Sequence, residues 1–287
     1  MVQVLVSGVL VGGIYGLIAL GLNLIMGVMG IVNFAHGPLL MVGMYISYWL
    51  WTVAGLDPYL ALPIVAVSLF AMGWLFQRLA IRPLLQTRVG AEELPSLLLT
   101  AGLMMFLNNM ALILFGPNYK TIHPSYKNNL FQMGMLRING IRAINFLIAL
   151  VLTSVFFLVL KYTDIGKKMR ATAQDRESAT VIGIDTNHIY NIVTATGFAL
   201  AGIAGGLLLP ISYTYPMVGE IFTMKSFIII VLGGLGNLTG ALVGGLAMGV
   251  AETVITQHLG AAMTQVFFLM LFVVVILFRP AGLFGKG

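Results

Sequence analysis

Apolar side chains follow one another along the first 56 residues with almost no polar relief, through Val9-Leu10-Val11, Ile18-Ala19-Leu20 and Val42-Gly43-Met44, and the first charged residue is Asp57. About 20 apolar residues cross the hydrocarbon of a bilayer, so this stretch alone has room for two passes. Further along, apolar runs alternate with charged or Pro/Gly punctuation. Their spacing predicts helices at about 2–27, 32–52, 59–77, 94–116, 143–160, 188–210, 226–256 (interrupted) and 264–278. That makes eight segments, or nine if the interruption separates two passes.

Composition sharpens this picture. Hydrophobic residues make up 59% and charged residues 8% of the 287, where a soluble domain carries about 25% charged, and the mean hydropathy is +1.00. The reading is an all-α, polytopic transmembrane helical bundle with broken helices, folded as one unit over 1–287, since no polar stretch is long enough for a separate soluble core. The chain has no cysteine, which excludes disulfides and thiolate metal sites. The start has no basic region ahead of its apolar run and no small-residue cleavage site, so Met1 to Met26 is expected to stay as the first helix.

Charge orients the bundle. Arg78, Arg82 and Arg88, then Lys161, Lys167, Lys168, Arg170 and Arg176, then Arg279 and Lys286 fall on breaks that an alternating topology places on one side. The positive-inside rule makes that side the cytoplasm. The opposite break, Pro117 to Arg142, departs from the rule by carrying Lys120, Lys127, Arg137 and Arg142 with no acid, which suggests an outer face shaped to dock something negative. Three simple crossings before Arg78 put Met1 outside, and one re-entrant piece would reverse that.

Glycine numbers 34, and much of it is spaced by four: Gly8, Gly12 and Gly16; Gly202 and Gly206; Gly236, Gly240 and Gly244, with Gly245 and Gly249 beyond. Such stripes let helix backbones approach closely in lipid. Two places read as helix breaks instead. In Ile31 to Pro38 the run is interrupted by Asn33 and His36, with Pro38 placed to open a new helix; in Leu232 to Gly240 it is interrupted again, with Thr239 placed to cap the next helix. Two readings stand for each break: an ordinary turn, or a half-helix end lining a wet path and offering N–H groups to a carboxylate. On the second reading Asn33, His36, Gly37, Gly233, Gly234, Gly236 and Asn237 line the translocation path. Ionisable residues inside the apolar spans are few: His36, Glu252, and Glu220 with Lys225 at one end. Glu252, near a helix end before Gln257 and His258, reads as interfacial, which gives little support to ion-driven transport.

The break Thr163 to His188 reads as a surface helix. Asp164 is a plausible cap, the run Lys167 to Ile182 lacks Pro and Gly, Gly183 stops it, and Asp185 and Thr186 offer a cap to the next span. Within it, Glu177-Ser178-Ala179-Thr180-Val181-Ile182-Gly183 is similar to the Glu-Ala-Ala-x-x-x-Gly loop of permeases in ATP-binding-cassette importers, with Ser178 standing for the first Ala. The whole chain resembles the branched-chain amino acid permeases of the high-affinity Liv type. The matching pieces are Ile31 to Gly37, Arg82-Pro83, Gly166 to Asp185, Val231 to Glu252 and Arg279 to Gly285.

The resemblance implies a type II importer permease fold and a subunit, without cofactor or metal, that moves branched-chain or related small amino acids across a bacterial or archaeal plasma membrane. It implies as partners a second related permease subunit, two cytoplasmic ATPase subunits, an extracytoplasmic substrate-binding protein and membrane lipid, and no nucleic acid. Arg170, Asp175, Glu177, Ala179 and Gly183 become the expected ATPase-coupling residues. Lys120, Lys127, Arg137 and Arg142 become the expected docking residues for the binding protein. No Gly-x-x-x-x-Gly-Lys-Ser/Thr phosphate loop occurs, so the chain is not itself the ATPase. The rival readings are an ion-coupled secondary carrier, and a permease of the same kind for urea, short amides or aromatic acids.

Overall fold

The computed structural model describes residues 1–87, 93–124, 126, 130–133 and 136–278. Its helices are α1 (Val2–Met29), α2 (His36–Ala54), α3 (Pro58–Phe76), α4 (Arg82–Thr87), α5 (Glu93–Phe115), α6 (Gly140–Tyr162), α7 (Asp164–Gln174), α8 (Arg176–Val181), α9 (Thr186–Leu208), α10 (Val218–Gly233), α11 (Leu238–Leu259) and α12 (Ala261–Phe278). Among the described residues, seven helices are long and apolar enough to cross a membrane, with Pro58–Leu85 acting as one. The interruption expected within 226–256 does separate two helices, α10 and α11. α10 begins eight residues early, because Glu220 and Lys225 that mask its start in the sequence both have side-chain partners, Asn108 and Glu252. The break between α5 and α6 also holds an antiparallel hairpin, β1 (Leu130–Met133) with β2 (Leu136–Asn139), which the all-α expectation omits.

α1 and α9 form the centre. Ile14 to Ile25 of α1 are buried without interruption, as suits a helix apolar all round. The expected glycine stripe of α1 is a packing surface: a Cβ on Gly8 or Gly12 would run into the α11 backbone at Val250 or Leu246, and one on Gly245 or Gly249 would strike α1 at Gly16 or Gly12. In α9, Gly202 and Gly205 meet Leu69 of α3 and Leu40 of α2. α5, α6 and α12 turn apolar side chains outward, among them Leu98, Ile113, Leu147, Val155, Met270 and Leu277, where lipid solvates them.

Between α3 and α4 one π turn spans Gln77–Ile81. The buried Gln77 amide oxygen there accepts a hydrogen bond from Thr194 of α9 at 2.9 Å. Ile31, Ile81, Leu85 and Tyr190 pack together at this end. With Arg78 and Arg82 on it, this end is the cytoplasmic one. The opposite end is tied by the Lys120–Thr214 backbone pair and by Tyr126, whose hydroxyl donates to Asp57 at 2.7 Å. Burial, then the Asp57 carboxylate, push the Tyr126 phenol well above its ordinary pKa.

Capping corrects several expected boundaries. Asn237, not Thr239, caps α11, accepting from Gly240 N–H at 3.0 Å. Thr163, not Asp164, caps α7, accepting from Gly166 N–H at 3.2 Å. The expected single helix 167–182 is two, since Asp175 is extended (φ −158°, ψ 113°) and caps α8 with its carboxylate on Glu177 and Ser178 N–H. Pro38 is the third residue of α2 rather than the first, which is still free of cost because the first turn of a helix has no internal acceptors.

Candidate functional site

Both helix breaks fold onto α1. At the first, Asn33 accepts from Ala35 N–H at 3.0 Å, Gly37 N–H donates to Thr223 of α10 at 3.0 Å, and His36 Nε2 lies 2.8 Å from the Ile18 carbonyl. Asn33 and His36 are buried, and Gly37 sits backbone to backbone on Gly219 of α10. At the second, Asn23 of α1 accepts from Gly236 N–H at 2.8 Å and donates to the Asn237 carbonyl at 2.9 Å. Gly233 meets Gly240 across this turn, Gly234 is buried, and Gly236 is exposed at φ 76°. The Gly37 N–H expected to greet a carboxylate is therefore committed to a protein oxygen. Of the seven residues expected on the path, the structure brings two groups against one central helix, with Gly236 alone exposed and Asn237 half-buried.

A partly polar cavity lies elsewhere. It occupies about 760 Å³ between α1, α6, α10 and α11. On α1 its wall is the stripe Gln3, Ser7, Val11, Tyr15, four residues apart and thus on one face. From Gln3 to Tyr15 the stripe descends about 18 Å at 1.5 Å per residue. Arg142, Ser212 and Gln257 also line this funnel. At its floor Lys225 donates to both Glu252 oxygens at 2.7 and 2.8 Å and to the Tyr15 hydroxyl at 2.8 Å. The Lys225 and Glu252 side chains are only 16% and 23% exposed.

Glu252, expected as an interfacial residue, is thus a member of a largely buried ion pair. Removing one member of such a pair strands a charge, at about 3–5 kcal/mol. Sequence reasoning missed Tyr15, and the pairing of Lys225 with Glu252, because the partners lie on three helices. The available signal was the polar Gln3-Ser7-Tyr15 series in an otherwise apolar helix.

At the cytoplasmic end α7 and α8 lie under the bundle. Arg170 donates to the Leu160 carbonyl at the end of α6, and Arg176 stacks over Tyr190 of α9 with its guanidinium carbon 5.3 Å from the ring centre. Of the expected coupling residues, Glu177 is exposed, Asp175 is occupied as a cap, and Ala179 faces inward at 2% exposure. Gly183 ends the pair at φ 87°. Beside it Val181 and Ile182 are 86% and 74% exposed, an apolar step on a polar surface.

On the outer face Lys120 lies over the rings of Tyr48 and Trp49, 5.3 and 5.5 Å from their centres. Arg142 belongs to the funnel wall instead. The backbone of Arg137 pairs with Gln132 in the hairpin. Lys127, like Arg88 and the segment Arg279 to Lys286, lies outside the described residues.

Residues 4–276 match the family described as branched-chain amino acid transport system / permease component. The chain is 33% identical over 299 residues to the high-affinity branched-chain amino acid transport system permease protein BraD of Pseudomonas aeruginosa, covering 99% of this chain and 95% of that protein. It is 30% identical over 304 residues to LivH of Escherichia coli, with the same coverage. To the probable branched-chain amino acid transport permease protein LivH of Methanocaldococcus jannaschii it is 28% identical over 296 residues, covering 99% and 92%. The solved structure of PsaBC from Streptococcus pneumoniae in complex with Fab aligns over 97% of this chain and 93% of that one, with TM-score 0.48 and 11% identity.

Proposed function

The chain belongs to the family of permease components of branched-chain amino acid transport systems, and from that premise we propose that it is the membrane subunit through which an ATP-binding-cassette importer moves branched-chain amino acids across the plasma membrane. The full-length likeness to BraD is the observation that carries this reading. The subunit works with cytoplasmic ATPases and an extracytoplasmic binding protein. A second, related permease subunit completes the membrane portion, and two ATPase subunits complete the motor.

The geometry supports a division of labour. A loaded binding protein docks on the outer face near Lys120, Lys127 and Arg137 and delivers substrate to the funnel. The α7–α8 pair, with Glu177, Val181 and Ile182 exposed and Gly183 setting its end, seats on an ATPase. Movement of that pair passes to α6 through Arg170 and to α9 through Arg176, and α9 packs on α1, α2 and α3. The inner side of the route then opens around the second break, at Gly236 and Asn237.

The test is uptake of labelled L-leucine, L-isoleucine and L-valine into proteoliposomes holding the complete complex with ATP inside and binding protein outside. Uptake needs ATP and binding protein on this reading. Uptake that follows a proton or sodium gradient without nucleotide would make the chain a secondary carrier, and uptake confined to urea, short amides or aromatic acids would change the substrate.

A further inference from the structure

The floor of the funnel has a chemistry that conduction alone does not need. The Lys225–Glu252 pair lines both this cavity and a second, mainly apolar one of about 210 Å³, walled by Ile221, Met224, Ile228 and Phe268 together with Thr256, Thr264 and Gln265. It therefore borders a partly polar space and a mainly apolar one. Arg142 lines the polar space too, and among the described residues no carboxylate pairs with it. The site so presents one carboxylate, two cations and an adjoining apolar recess of side-chain size.

That set complements a molecule carrying an ammonium and a carboxylate on neighbouring atoms with an aliphatic group behind them. A simple anion would meet Glu252 across the cavity from Arg142, and a simple cation would meet Lys225 and Arg142. A zwitterion satisfies all three. The Lys225 ammonium sits where a guest ammonium would sit, against both Glu252 oxygens and the Tyr15 hydroxyl. A guest can take that place while its carboxylate accepts from Lys225 and Arg142, so no charge is left bare during the exchange.

We propose that this floor is a binding site for an aliphatic amino acid within the permease, with the α-ammonium on Glu252, the α-carboxylate between Arg142 and Lys225, and the side chain in the recess before Phe268. The proposal rests on the transport reading above. A brace between α10 and α11 is the rival role, and it differs in outcome, because a buried pair that only braces is commonly replaceable by apolar residues.

The experiment uses the complete complex, first in detergent without binding protein for direct L-leucine binding, then in proteoliposomes for ATP-driven uptake. E252Q and K225M are expected to weaken leucine binding about tenfold or more, and F268A to weaken leucine more than alanine. 4-Methylpentanoate, which lacks the ammonium, and isoamylamine, which lacks the carboxylate, are expected to compete about tenfold less well than leucine. The double variant K225M/E252M is expected to assemble with its ATPases yet lose uptake. Wild-type uptake by that double variant, or equal competition by 4-methylpentanoate, overturns the site and leaves the transport function standing. No leucine uptake by the wild-type complex overturns the transport reading and the site with it.

Discussion

Asn23, 1% exposed in the middle of α1, holds the chain at Asn237 by donating to its carbonyl at 2.9 Å, while its own oxygen accepts from Gly236 N–H at 2.8 Å. One amide therefore satisfies two backbone groups that the broken helix leaves without partners, in a setting where lipid offers none.

Replacing Asn23 by Leu strands both groups, at about 1–3 kcal/mol each. The expected result is a lower melting temperature of the purified complex, followed by intrinsic tryptophan fluorescence, together with reduced yield. An unchanged melting temperature would mean that water reaches the break and replaces the amide.

His36 to Phe tests whether the first break lines the path. The ring is fully buried against the Ile18 carbonyl, so a bulkier side chain overpacks the α1–α2 contact, at about 1–3 kcal/mol. Loss of assembly is expected, seen as less ATPase recovered on pull-down. A complex that assembles fully but no longer imports would place His36 on the path.

Gly183 carries φ 87°, and a Cβ there meets nothing within 4 Å. The cost of Gly183 to Val is thus purely conformational, about 1–2 kcal/mol. Assembly should persist while substrate-stimulated ATP hydrolysis falls several-fold, with Gly183 to Asn retaining more activity because Asn tolerates the left-handed region. Hydrolysis at the wild-type rate in the Val variant would remove this turn from the coupling route.

The Asp175 carboxyl is held below its ordinary 3.8 by the Ser178 hydroxyl and by the N–H groups of Ser178 and Glu177. A depressed carboxyl stabilises the fold above its unfolded pKa, and that contribution disappears as pH falls through the folded value. Amide protection at Glu177 and Ser178 should be level above about pH 4 and decline below it. Asp175 to Asn should remove the decline while keeping the cap, and Asp175 to Ala should remove the protection at every pH.

Docking by outer charge is best tested with Lys120, Lys127 and Arg137 changed to Gln together, leaving Arg142 in the funnel. The binding-protein concentration for half-maximal transport should rise, and its salt dependence should flatten as the Debye length shortens from about 8 Å at 0.15 M to 3 Å at 1 M. If neither changes, these residues serve lipid headgroups.

Long apolar runs and glycine punctuation made α1, α2, α3, α5, α6 and α9 legible to within a few residues, because lipid demands helices and allows few polar interruptions. What stayed hidden was polar and non-local. Asp175 breaks a helix from inside a run without Pro or Gly, since its carboxylate offers the backbone other partners. Lys225 and Glu252 neutralise each other across a turn whose geometry no local pattern encodes. Both breaks were readable as breaks, but the role of Asn23 and Ile18 in closing them depends on which face of α1 meets them.

The π turn at Gln77–Ile81 adds a residue to what is otherwise one continuous helix from Pro58 to Leu85. Each residue turns an α-helix by about 100°, so the cytoplasmic end of this rod is out of phase with its outer part by roughly that angle. Deleting one position within the turn would restore a regular α-helix and leave Leu85 on Ile31 and Tyr190, whereas deleting one from the α-helix beside it would rotate Leu85 away while leaving the whole outer half in register. An alignment gap at this point among relatives would mark a subunit that lacks the wide turn yet keeps its basic cytoplasmic edge in the same direction.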